Sequence, residues 1–184
     1  MGHGLHHEAF PSVYWPTWDA DVTFLPGTEL PEASEGRLWA VLTFVFYGDK
    51  VVLGDIPGRG MCIPSGRIEP GETIDAAAVR EAFEETGAIL SPDGRRLIGC
   101  FRLVPRQGTP ECQPRYCPVF VAEALGFQAI PSDSESQGMF LAAIEDVSDI
   151  YFFWDALIAA VFEYADEQRQ RLFPVGIPIS SLFG

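Results

Sequence analysis

The sequence predicts an α/β layered domain. Strand-like segments alternate with two helical patterns, at residues 73–85 and 149–172. Elements in that order bury their apolar faces as a sheet with helices packed on it. Hydrophobic residues make up 47% of the 184-residue chain, enough for a real core, and a chain of this size buries roughly 70% of its unfolded surface.

The elements follow in order. Residues 1–36 read as an N-terminal arm, rich in aromatics and prolines (Tyr14, Trp15, Pro16, Trp18, Phe24, Pro26, Pro31) and without a clear period. Such an arm packs on the body or a second subunit, or offers an aromatic wall to a base or other flat group. Residues 37–184 read as a single domain. LWAVLTFVFY, then Gly48-Asp49, then KVVLG is a hairpin pattern. A loop from Asp55 to Gly60 leads to the apolar Met61-Cys62-Ile63 and on to a glycine-bearing loop, Gly66–Gly71.

Thr73–Glu85 is the clearest helix, with Thr73 as N-cap and Gly87 just past its end. Val79 and Phe83, with Ala76 and Ala82, are expected to anchor it to a sheet. Ala77 and Ala78 are expected to leave space before the acidic side chains. RLIGCFRLV and YCPVFVAEA read as strands joined by the loop Pro105–Arg115. A polar stretch, PSDSESQG, precedes MFLAAI. The tail, from about Asp149 to Leu172, reads as one long amphipathic helix.

Charge and composition exclude several functions. The net charge is −14, which opposes stable nucleic-acid binding through phosphates. No apolar run reaches the ~20 residues that span a membrane, and MGHGLHHEAF lacks the regions of a signal peptide, so a soluble cytoplasmic protein is expected. All three histidines (His3, His6, His7) fall in the first seven residues. The core therefore has no imidazole for a Ser-His-Asp triad, a histidine zinc site or a histidine base. Acid–base work falls to carboxylates, Tyr, Lys or metal-bound water. The four cysteines, at 62, 100, 112 and 117, form no C-x-x-C pair and read as free thiols.

Glu81, Glu84 and Glu85 are offset by three and four residues, which sets them on one helical face. Like charges so close repel. A helix that gathers them either exposes them as a solvated, salt-bridged face or offers them to a hard divalent cation.

The surrounding residues resemble the Nudix box, G-x5-E-x7-R-E-U-x-E-E-x-G-U, with U a bulky or aliphatic residue. This chain supplies Gly66, Glu72, Arg80, Glu81, Ala82, Glu84, Glu85, Gly87 and Ala88. All fixed identities are present, and alanine fills both U positions. With each identity at about 7% by composition, a chance match anywhere in the chain is about 10⁻⁶.

The resemblance implies a Nudix-type α/β/α sandwich, with a mixed sheet between helices. It implies a pyrophosphohydrolase that uses Mg²⁺ or Mn²⁺ to cleave a nucleoside diphosphate linked to another moiety X, such as ADP-ribose, a nucleotide sugar or a nucleoside triphosphate. Glu81, Glu84 and Glu85 match the family's metal ligands, Glu72 a supporting glutamate, and Arg80 an arginine that orients carboxylates. A second glycine, whose carbonyl touches a metal in many members, is replaced here by Ser65.

A further acid on a distal loop is expected as a ligand or base. Glu135 and Asp133 fit the order along the chain, Glu111 fits it less well, and Glu81 is an equal candidate for the base. Substrate contacts are expected from Arg59 and Arg67 around the box and from Arg102, Arg106 and Arg115 in or beside the Pro105–Arg115 loop; the plain alternative for each is a surface arginine. The resemblance leaves room for a homodimer. It also leaves two other readings. A non-catalytic nucleotide sensor usually lacks box glutamates, all present here. A Nudix-fold isomerase relies on core histidine ligands, which this chain lacks.

Overall fold

The computed structural model describes residues 10–32, 34–106 and 113–173. Ten strands and three α-helices occur among these residues: β1 Val13–Trp15, β2 Ala20–Pro26, β3 Arg37–Leu38, β4 Ala40–Tyr47, β5 Lys50–Ile56, β6 Gly60–Cys62, β7 Ser65–Arg67, α1 Ile74–Thr86, β8 Ala88–Pro105, β9 Arg115–Phe127, β10 Gly138–Ala142, α2 Val147–Ile150 and α3 Ala156–Leu172. The strands form one mixed sheet in the order β1-β2-β8-β9-β4-β5-β10, with β3 beside β9, β6 beside β5 and β7 beside β4. β9 runs parallel to β3 and β4; the other pairings are antiparallel.

Alternation along the central strands assigns the two faces. On β4, Val41 and Val45 pack toward α1, whereas Phe44 and Phe46 join the cluster around α3. On β5, Val52 faces α1 while Val51 and Leu53 face α3. Leu157, Val161, Phe162 and Ala165 seat α3 in the larger cluster. The expected sandwich is therefore present, with α1 and α3 on opposite faces of the sheet. The expected hairpin is present too: Tyr47 pairs with Lys50 around Gly48-Asp49, with Gly48 at φ 64°.

Three details differ from expectation. The segment read as an arm supplies β1 and β2, which extend the sheet along β8, from Ala20 opposite Pro105 to Pro26 opposite Gly99. Val22 and Phe24 alternate with Asp21 and Thr23 and are buried. That period of two was hidden by the prolines on either side.

The tail is not one continuous helix. α2 ends at Ile150, Tyr151–Asp155 is not helical, and α3 begins at Ala156. The break has a cap: Asp155 Oδ1 accepts from Ile158 N at 2.8 Å, and its Oδ2 accepts from Trp15 Nε1 at 2.8 Å.

The anchoring face of α1 is also corrected. Val79 is 39% exposed, and Ala76 is exposed. The sheet-facing stripe is Ala77, Ala78, Glu81, Ala82, Glu85 and Thr86. Ala78 does not border open space before the glutamates; it packs with Val41 and Phe120 and is fully buried. Small side chains let the helix lie close to the sheet. Ala78→Phe is accordingly expected to destabilise the fold by about 1–3 kcal/mol through overpacking, read as a lower Tm. An unchanged Tm with lost ligand binding would restore the open-space placement.

Candidate active site

The loop before α1 and the second half of the helix, from Arg80 to Glu85, build the site. Thr73 Oγ1 accepts from Ala76 N at 3.1 Å and starts the helix. Gly87 ends it at φ 69°, donating its N–H to Phe83 O at 2.8 Å. A Cβ on Gly87 would strike Gln128 O, so glycine is required there for space as well as for φ.

Arg80 is the hub of the acidic cluster. Its Nε and Nη2 donate to the two oxygens of Glu72, at 2.8 and 2.9 Å. Nη1 donates to Glu81 Oε1 at 2.7 Å and to Glu84 Oε2 at 3.1 Å. Nη2 also reaches Arg67 O at 2.9 Å, tying the box loop to the helix. The guanidinium holds the Glu72 carboxyl below its ordinary range, and its own pKa is raised by these partners.

Glu81 and Glu85 are buried. Glu81 lies against Gly66, where an added Cβ would collide with its carboxylate. Glu85 Oε2 accepts from Ser65 N at 2.9 Å. Desolvation raises both pKa values, that of Glu85 to about 7.

A cavity of about 340 Å³ collects Glu81, Glu84 and Glu85 with Asp133, Ser134 and Glu135 of the polar loop. Ser134 Oγ donates to Glu84 O at 2.6 Å and fastens that loop to α1. Arg59 stands beside the cavity, with its Nη1 3.7 Å from Glu85 and its Nη2 3.8 Å from Glu135.

These residues fit a hard divalent cation by donor chemistry. Five carboxylates line one small cavity, and the arginines beside it are Arg59 and Arg80. Among the described residues no three of these acids converge tightly enough to form a ligand set on their own. Arg80 holds Glu81 and Glu84 in ion pairs instead.

A second, larger cavity of about 680 Å³ is lined in part by Arg59, Ser65 and Gly66, which lie against Glu85 and Glu81 of the first. Its walls are aromatic: Trp15, Trp18, Trp39, Phe101, Tyr151 and Phe153. Arg67 and Arg115 lie over the Trp39 ring, 4.1 and 4.8 Å from its centroid.

The structure thus brings Glu72, Arg80, Glu81, Glu84, Glu85, Asp133, Glu135, Arg59 and Ser65 to one centre, with Arg67 and Arg115 in the adjoining pocket. Arg102 and Arg106 belong to neither cavity. Arg102 Nε donates to Tyr116 Oη at 3.3 Å, and Arg106 pairs with Asp21 at 2.6 Å and covers the Tyr14 ring. Both are consumed by contacts that stitch β8 to its neighbours. Glu111 lies outside the described residues. Ser134 and Trp39 were missed from sequence. Trp39 directly precedes the apolar strand β4 and carried no signal that separated it from core.

A family model described as the NUDIX domain matches residues 36–162, more than half of the chain. The chain belongs to the Nudix family. It is 32% identical over 104 residues to YvcI, an uncharacterized Nudix hydrolase of Bacillus subtilis (strain 168); that match covers 55% of this chain and 61% of the relative's length. In fold it resembles the Bacillus subtilis pyrophosphohydrolase BsRppH, with a TM-score of 0.66 and 18% identity, over 90% of this chain and 99% of that one. It also resembles an ADP-ribose pyrophosphatase of Streptococcus suis 89-1591, with a TM-score of 0.54 and 15% identity, over 71% of this chain and 90% of that one.

The raised pKa of Glu85 has a sign that can be measured. Its folded pKa of about 7 lies above the ordinary 4.5. Its contribution to stability is therefore fully present below pH 4.5 and is lost as pH rises through 7. Glu85→Gln removes this titration. With chelator present, the variant is expected to match the wild type in Tm near pH 4.5 and to exceed it in stability by about 3 kcal/mol above pH 7.5. A difference that stays constant with pH would contradict the buried placement of Glu85.

Proposed function

We propose that this protein is a pyrophosphohydrolase that depends on a divalent metal ion. The substrate class is a nucleoside diphosphate linked to a further moiety, an ADP-ribose-like or nucleotide-sugar compound or a nucleoside triphosphate. The observation that carries this reading is that Glu81, Glu84 and Glu85 line one small cavity together with the acids Asp133 and Glu135, near a pocket wide enough for the rest of such a molecule.

Glu81, Glu84 and Glu85, with the Ser65 carbonyl, are the proposed holders of Mg²⁺ or Mn²⁺. The bound ion supplies charge neutralisation to an electron-rich diphosphate and lowers the pKa of water. Oxygen donors suit ions of this kind.

Each protein residue then has a task. Arg80 fixes the rotamers of Glu81 and Glu84 and is itself braced by Glu72 and Arg67 O. Glu85 is oriented by the Ser65 N–H. Arg59, between the two cavities, offers N–H donors to a phosphate oxygen. Glu135 has an exposed carboxylate, 67% accessible, which suits it to accept a proton from attacking water. Asp133 is the neighbouring acid.

Hydrolysis of a panel of nucleotide sugars and nucleoside triphosphates with Mg²⁺ or Mn²⁺ tests the reading. Glu84→Gln is expected to lower kcat by about 10² or more, since it removes a charged oxygen ligand. Turnover at near wild-type rates in this variant would sink the ligand assignment.

A further inference from the structure

The segment 15–18 lies before residue 36, where the family match begins, yet it forms one wall of the larger cavity. Its placement is over-determined. Trp15 is 6% exposed and its Nε1 is bonded to Asp155, the cap of α3. Pro16–Trp18 is a single 3-10 turn, closed by Asp19 in the left-handed region at φ 43°, ψ 50°. Among the described residues Asp19 is the only non-glycine residue with positive φ. A conformation of this kind costs free energy and persists where surrounding contacts demand it. Tyr14 Oη donates to Asp19 Oδ1 at 2.7 Å and steadies the turn.

The turn brings Trp18 to Trp15 and Trp39, with ring centroids 5.3 and 6.4 Å apart. Trp18 nonetheless remains 36% exposed. A large aromatic ring held in place but left open is a stacking surface. The polar equipment of the cavity is lopsided. Its charged side chains are Arg59, Arg67 and Arg115, and among the described residues no Asp, Glu, Asn or Gln side chain lines it. Arginine only donates hydrogen bonds. Carboxylate or amide pairing with the hydrogen-bonding edge of a base is thus absent from this described wall, where the neutral polar side chains are those of Thr17, Ser65 and Tyr151, whereas ring faces and anion-seeking guanidiniums are plentiful.

Resting on the proposed activity, we propose that Trp15–Trp18 is a specificity element. With Trp39 it forms a slot that takes an aromatic ring of nucleobase size attached to a phosphate chain. The slot selects for the ring's stacking area and does not read its edge. Purines and pyrimidines are both accepted, and a substrate without an aromatic ring is not. The phosphates point toward Arg59, whose guanidinium also approaches Glu85 and Glu135 of the acidic cavity.

Equilibrium binding tests this without requiring turnover. Calorimetry on the full chain uses AMP, GMP, CMP, UMP and ribose 5-phosphate. The four nucleotides are expected to bind within about tenfold of one another, purines more tightly. Ribose 5-phosphate is expected to bind at least about thirtyfold more weakly. Trp18→Leu is expected to weaken all four nucleotides about tenfold with Tm unchanged, and Trp18→Phe to recover most of that loss. One base preferred by more than about a hundredfold, ribose 5-phosphate binding as tightly as AMP, or Trp18→Leu binding nucleotides as the wild type does, would each overturn the proposal. These outcomes do not depend on hydrolysis. Binding as expected without turnover of any diphosphate keeps the slot and removes the hydrolase reading.

Discussion

Negative charge held at close quarters governs this molecule. Glu72, Glu81 and Glu84 share a single guanidinium, that of Arg80. Glu85 sits behind them with a side chain 4% exposed, and Arg59 approaches it only to 3.7 Å. Charges a few ångströms apart in a medium of low effective dielectric repel by several kcal/mol. Burial adds a desolvation penalty, and it pushes up the pKa values of Glu81 and Glu85. One arginine offsets part of this. The remainder is a standing demand for positive charge at the cavity, which is the ground for the proposed cation site.

The fold serves that demand by bringing three separate stretches of chain together. The sheet holds β7 and the box loop against β4, so Ser65 N and Gly66 meet the buried glutamates. Alanines on α1 set the helix close to the sheet, which turns Glu81 and Glu85 inward instead of toward bulk water. Ser134 draws the distal loop onto the end of the same helix, bringing Asp133 and Glu135 opposite. On the adjoining side, β1 and β2 complete the sheet beside β8 and deliver Trp15 and Trp18 to the larger cavity. The aromatic segment Tyr151–Phe153 closes it from the α3 side. The acidic cavity and the aromatic cavity thus lie on either side of Arg59, which lines the second and approaches Glu85 and Glu135 of the first.

Much of this was legible in the sequence because it is local. The box spacing revealed the loop, the capped helix and the shared face of the three glutamates, since offsets of three and four residues map directly onto helical geometry. The Gly48-Asp49 hairpin was readable for the same reason. What stayed hidden depends on contacts far apart in the chain. Whether Ala78 borders a void or the sheet is decided by Val41 and Phe120, not by its neighbours in sequence. Asp155 reads as one more acid in a helical tail until Trp15, 140 residues away, accounts for its second oxygen. Arg106 and Arg115 look alike beside one loop. Asp21 claims the first, and Trp39 draws the second into the pocket. The strands of the N-terminal segment escaped notice because prolines on either side broke the alternation that Val22 and Phe24 carry.

If the acidic cavity is built for a divalent cation, the folded state must gain stability when that ion is supplied. Thermal unfolding in a magnesium titration at pH 8 measures this most directly, with sodium chloride at matched ionic strength as the control. A saturable rise in Tm with Mg²⁺ is expected, as binding to the folded state requires, with no comparable rise for sodium. A Tm that follows ionic strength alone, identical for both salts, would contradict a cation site at Glu81, Glu84 and Glu85.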